Sequence, residues 1–182
     1  MFLKIAATLF ILFGILYAGD SFQAAKNIKQ ELGERGYLEE YERFSPYEKR
    51  INELSKLKKN IYKKGNLDRF KILNKLLKYQ KQSQSLIVAQ YAIDEALKYI
   101  NINDVKKFKK YIKPNADALY KRGMCDGYLF EGIYMQDIKG DKMKAFDIYR
   151  SGVKNCTIEW KRMNILSRMN RLKYQLGLIG KR

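Results

Sequence analysis

Carboxylates are the first place to look for chemistry. Glu39, Glu40 and Glu42 form one dense group, and Asp94 with Glu95 another. Acid–base work on a single substrate needs two carboxyls aimed at a common point, and neighbouring residues on a helix point in different directions. Asp94 and Glu95 read instead as the polar edge of an otherwise apolar helix. The chain has no His, which removes Ser-His-Asp and Cys-His catalysis and every imidazole-ligated metal site. Its two Cys cannot form a four-thiolate centre. The glycines at 33, 36, 65, 123, 127, 132 and 140 fall at helix ends or inside helical patterns and form no phosphate-cradling loop. The expectation is a non-enzyme with no catalytic residue, cofactor, metal or small-molecule substrate, which leaves binding as the chemistry to explain.

Cations dominate the surface chemistry. The 182 residues carry 37 Lys+Arg against 19 Asp+Glu, a formal charge of +18. Two runs stand out: Lys56, Lys58, Lys59, Lys63 and Lys64, and then Lys106, Lys107, Lys109, Lys110 and Lys113. Such runs read either as solvated helix faces or as a docking surface for an anion. The 14 Tyr are the other surplus. Any that are exposed, with Tyr47, Tyr62 and Tyr79 as candidates, would be interface anchors.

Location decides which anions are available. In residues 1–18, Lys4 forms a charged start, Ile5 to Tyr17 an apolar run, and Ala18-Gly19-Asp20 a small-residue exit, which reads as a secretory signal peptide. The competing reading is a retained anchor, although the run is short for a bilayer span. Export would place the chain in a periplasm or outside the cell. Nucleic acid is then not an expected partner, and acidic proteins, anionic lipid and cell-wall polymer are.

The elements that must carry these groups read as helices. Residues 20–44 hold Phe22, Ala25, Ile28 and Leu32 at helical spacing and then Gly33 and Gly36, predicting a kinked or split, acidic N-terminal arm. The arm either packs on the rest or reaches another partner. A basic all-α domain over 45–182 follows. Ser45-Pro46-Tyr47-Glu48 reads as a capping box that starts a helix to about Lys64, with Ile51, Leu54, Leu57 and Ile61 on one face, ended by Gly65-Asn66. Leu67, Phe70, Leu73 and Leu77 begin another, which the polar stretch 81–85 loosens or breaks. Leu86 to Ile100 is apolar nearly all round and belongs at the centre of the core. Asn103 or Asp104 caps a short basic helix with Val105, Phe108 and Ile112 on its apolar face, ended by Pro114. Longer helices over about 116–137 and 141–154 meet at a Gly140-Asp141 turn. A last helix is capped by Asn155 or Thr157 and ended by Gly177. No stretch alternates as a strand does. The fold class is all-α: antiparallel helical hairpins, about seven helices, short loops.

Within this pattern, Ala145, Tyr149 and Gly152 place a small residue, an aromatic four later and a small residue three after that, preceded by the large Phe130, Ile133 and Tyr134. Residues 125–156 in this respect resemble one tetratricopeptide or Sel1-like helical repeat, although Glu131 stands where that family prefers Gly. The resemblance implies close helix-hairpin packing toward the C-terminus and protein–protein binding. Cys125 and Cys156 lie about 14 and 16 residues from the turn near Gly140, so at about 1.5 Å per residue they come level on an antiparallel pair. In an exported protein this predicts a disulfide, stabilising by roughly 3–4 kcal/mol. Together these readings lead to a periplasmic adaptor or structural subunit of a cell-envelope assembly, of which a flagellar-motor scaffold is one example, binding an acidic protein. The alternative is a module that recognises cell-wall polymer or anionic lipid through its basic faces.

Overall fold

The computed structural model describes residues 20–61 and 67–178, and these form seven helices with no strand. The helices are α1 (Asp20–Ile61), α2 (Leu67–Ser83), α3 (Leu86–Leu97), α4 (Val105–Lys107, continuing through Phe108–Ile112 and Lys113–Lys121), α5 (Cys125–Ile133, continuing through Tyr134–Ile138), α6 (Lys142–Asn155) and α7 (Glu159–Gln175). Tyr62, Lys63, Lys64, Gly65 and Asn66, and the whole 1–18 segment read as a signal, lie outside the described residues.

The hydrophobic pattern decides what lies inside. In α3, every residue from Leu86 to Ile93 is buried, and α1, α2 and α4 pack around it. The N-terminal arm joins this core: Ala24, Ala25, Ile28 and Phe44 are buried in it. A second, smaller core lies between α5, α6 and α7 and holds Ala145, Tyr149, Ile158, Ile165 and Leu172. Helix α5 is common to both, with Phe130 and Ile133 in the first core and Cys125 in the second.

A helix as apolar as α3 buries its own N-terminus, whose first amides then need buried acceptors. Ser85 supplies one, its hydroxyl accepting from the Ile87 and Val88 amides. Glu40 supplies the other: fully buried on α1, it accepts from the Leu86 amide at 2.9 Å and is paired with Arg43 at 3.1 Å. A carboxylate at a helix N-terminus also meets the positive end of the helix dipole.

Several expected boundaries move, each for a local reason. Gly33 does break α1, with φ +70°, a left-handed value that only Gly adopts without strain. The expected capping box at Ser45-Pro46 does not start a new helix, because α1 runs through Pro46. Pro46 has no N–H for the Glu42 carbonyl, and the Ser45 hydroxyl donates to that carbonyl at 3.4 Å instead. Glu48 does not reach back to cap; it accepts from the Tyr41 hydroxyl. Nor does Pro114 end its helix. The turn ahead of it widens, with the Lys113 amide bonding the Phe108 carbonyl five residues back, and the Asn115 side chain donates to the Tyr111 carbonyl at 2.7 Å. On that turn Val105 is exposed, and Tyr111 takes the buried place beside Phe108 and Ile112.

The expected 116–137 helix is two helices. Gly123, at φ +71°, donates to the Tyr120 carbonyl while the Met124 amide bonds Leu119, a Schellman ending for α4. Neither Asn155 nor Thr157 caps α7. Asn155 belongs to α6 and donates to the Tyr128 hydroxyl, and the chain runs extended to Ile158, the residue before α7. Phe22 and Leu57, placed on apolar faces by their spacing, are exposed. The break at 83–85, the Asp104 cap, the Gly140-Asp141 turn and the Gly177 ending stand as expected.

The helices α4 and α5 approach so closely that Gly127 has no room for a side chain. A Cβ there would lie 2.5 Å from the Leu119 carbonyl carbon and from the Tyr120 Cα. Backbone cannot yield as a side chain does, so Gly127→Ala is expected to cost about 2–3 kcal/mol in chemical denaturation. An unchanged midpoint would contradict this packing.

Candidate functional site

The disulfide is present. Cys125 opens α5, Cys156 follows the last residue of α6, and their sulfurs are joined with the Cα atoms 4.9 Å apart. Between them the α5–α6 hairpin packs on small residues. Ala145, Tyr149 and Gly152 are buried on α6, and a Cβ on Gly132 would enter the Tyr149 ring. A Cβ on Gly152 would meet Tyr128 and Ile165. Gly132 was missed as a packing residue in the sequence, although it is next to Glu131, where the repeat pattern asks for Gly. Tyr134 faces the other way, stacked on Phe108 of α4 at 6.3 Å between ring centres. Glu131 is buried and takes an ion pair from Lys113 at 3.0 Å, tying α4 to α5, while Lys113 also holds Asp117. Burial opposes the Lys113 charge, but these two carboxylates hold its ammonium above the ordinary lysine range.

No expectation anticipated the largest polar feature. Lys161 of α7 is 1% exposed. Its Nζ donates to Asp126 of α5 at 2.9 Å and to Glu31 of α1 at 3.1 Å. Glu31 also accepts from the Cys125 amide at 2.6 Å, which satisfies the N-terminus of α5. Gln90 of α3 extends the cluster, donating to Asp126 at 2.6 Å and to Asp94 at 3.0 Å. Three helices therefore meet on one ammonium, and α3 joins them through Gln90. A signal was available: Lys161, Ile165 and Leu172 share the buried stripe of α7, and a lysine on such a stripe must find carboxylates.

Three carboxyls against one ammonium leave surplus negative charge inside. Burial would depress the Lys161 charge, but Asp126 and Glu31 together raise it above the ordinary lysine value. Burial pushes the Glu31 carboxyl up against the pull of Lys161 and the Cys125 amide. The Asp94 carboxyl is pushed up to about 6 by burial and then by the Asp126 charge. No group of ligands able to hold a metal occurs among the described residues. Glu95, the other half of the sequence pair, is buried and bonded to Lys98 and the Tyr99 hydroxyl.

Of the docking lysines, Lys56, Lys58 and Lys59 lie on the described stretch of α1, but their side chains, like Lys63 and Lys64, lie outside the described residues. Lys106, Lys107, Lys109 and Lys110 are exposed on the widened turn of α4. The fold brings this turn against α2: Phe70 and Tyr111 pack at 5.8 Å between ring centres. Lys107 lies 5.5 Å over the Phe70 ring, and Lys110 lies 4.9 Å over Tyr111. From Arg69 to Ile93 the sequence contains no acidic residue, and Lys71, Lys75, Lys78 and Lys81 are exposed on α2. The basic surface therefore continues from the turn of α4 onto α2, whose lysines were not singled out because each stands alone in the sequence. Within this surface Lys107 is paired to Asp104 at 2.8 Å. Tyr47 and Tyr79, expected as exposed anchors, pack on each other at 5.6 Å and are half-buried.

Compared with known proteins, the chain matches no protein-family model, no curated protein and no solved structure.

The Asp94 proton gives a testable pH dependence. The folded carboxyl keeps it to about pH 6, the unfolded one only to its ordinary value of 3.8. The folded chain therefore binds more protons in that window, and stability falls as pH rises through it. Asp94→Asn, which keeps an acceptor for Gln90, is expected to raise stability by about 1–3 kcal/mol at pH 7.5 and by little at pH 4. Equal effects at both pH values would show that Asp94 is not the proton holder.

Proposed function

We propose that this chain is a non-enzymatic adaptor or structural subunit of a multiprotein assembly in the cell envelope, exported to the periplasm, that binds acidic protein partners. The observation that carries the reading is the basic surface shared by α2 and the 105–113 turn, with lysines held over Phe70 and Tyr111. Charge of one sign on a rigid helical surface steers encounters with a partner of opposite sign and fixes orientation. The half-buried Phe70 ring beneath Lys107 supplies contact area at low entropic cost.

Other features support the reading. The Cys125–Cys156 disulfide suits an oxidising compartment, as a periplasm is. Among the described residues, no helix is long and apolar enough to cross a membrane. Two of the carboxylates that could have served catalysis, Glu40 and Glu95, are buried in capping and pairing contacts. The close packing of Ala145, Tyr149 and Gly152 agrees with a tetratricopeptide or Sel1-like hairpin, whose habit is protein binding, and a flagellar-motor scaffold would be one such setting.

Affinity capture of a C-terminally tagged copy from gently solubilised envelopes, against an untagged control, tests this directly. One assembly is expected at near-stoichiometric yield, lost when Lys71, Lys75, Lys106 and Lys109 are changed together to Glu. Recovery of no protein, with the chain instead sedimenting with cell wall or anionic lipid in a salt-sensitive way, would replace the adaptor by an envelope-binding module.

A further inference from the structure

A second surface has a different character. Beyond the C-terminal end of α3, a groove of about 340 Å³ opens between α5 and α7. Its floor is apolar, with Leu97, Ile102, Leu129 and Ile133. Leu97 is 39% exposed, so the floor reaches the surface and is not merely the flank of the core. The opposite wall is one stripe of α7, where Asn164, Ser167, Arg168 and Arg171 follow one another at helical spacing. Every one of these side chains can donate a hydrogen bond, and none is acidic. Arg171 is exposed and has no carboxylate partner among the described residues. Arg168 has only a loose one, Asp137 at 3.7 Å.

We propose that this groove is a second docking site, which takes an acidic segment of a partner protein carrying a large apolar side chain. The apolar side chain would cover Leu97, Ile102 and Leu129, and carboxylates beside it would pair with Arg168 and Arg171. Each wall selects part of this ligand. A wholly polar polymer would leave the apolar floor in contact with water, and a neutral apolar segment would leave the guanidinium groups without counter-charge. Arginine is suited to the task because its planar fork grips a carboxylate at two points. The site rests on the adaptor reading only in requiring a protein partner. With the basic surface on α2 and α4, it would let one small chain join two acidic elements.

Site-specific photo-crosslinking in cells of the source organism distinguishes the two surfaces. A benzophenone side chain replaces Leu97 in the groove or, in a separate full-length variant, Val105, which is exposed beside the basic turn. Ultraviolet adducts are then mapped by mass spectrometry. The expected result is a protein adduct from position 97, lying in an acid-rich segment and reduced about tenfold by Arg168→Glu with Arg171→Glu. Adducts from 105 but not 97 would overturn the groove and leave the adaptor reading standing. An adduct at 97 that is lipid or glycan, or that ignores the charge reversal, would also overturn it. Adducts from neither position would overturn both.

Discussion

The fold depends on one buried cation. Lys161 brings a full charge into the interior of the chain, and Asp126 and Glu31 answer it at 2.9 and 3.1 Å. An unpaired ammonium in that place would be prohibitively costly, so α7 can bury its apolar stripe only where α1 and α5 present their carboxylates. The Gly33 break follows two residues after Glu31 and turns the chain away once that carboxylate has been delivered. Gln90 brings the central helix α3 into the same cluster. The interaction sits where the two apolar cores meet and fixes how they are joined. The Cys125–Cys156 bridge ties α5 to the end of α6 beside it.

Other buried carboxylates likewise take a partner from another helix. Glu40 reaches the start of α3, Glu131 takes Lys113, and Glu31 serves both an ammonium and the Cys125 amide. With so many acidic groups committed inside, cations remain in excess outside. The basic surface of α2 and α4 thus has two origins, the composition of the chain and the removal of carboxylates to the core. The proposed binding role uses what this division leaves exposed.

Periodicity and punctuation made the architecture legible. The apolar run at 86–97, the Asp104 cap, the Gly140 turn and the pairing of Cys125 with Cys156 all follow from local rules. Pro46 misled because the Ser45 hydroxyl takes the carbonyl that Pro46 leaves without a donor, and Pro114 because the widened turn ahead of it carries the helix past the proline. Gly123 was passed over because the residues on either side keep a helical spacing, and only its left-handed φ reveals the break. The ion cluster was harder to see because Glu31, Gln90, Asp126 and Lys161 are far apart in sequence. One polar residue on each of several apolar stripes was the legible sign, and it indicates a buried partner without saying which. The continuation of the lysine surface onto α2 depends on the Phe70–Tyr111 contact, which no spacing rule provides.

The most direct test of this account is the stability of Lys161→Met, measured by denaturant unfolding at pH 8 and pH 5. Methionine keeps the length of the chain and removes the charge, leaving Glu31 and Asp126 to face each other. The account expects a loss of about 3–5 kcal/mol at pH 8. A good part should return at pH 5, where the stranded carboxyls can take up protons. Stability equal to or above that of the parent chain at both pH values would contradict the claim that the fold is organised around this ammonium.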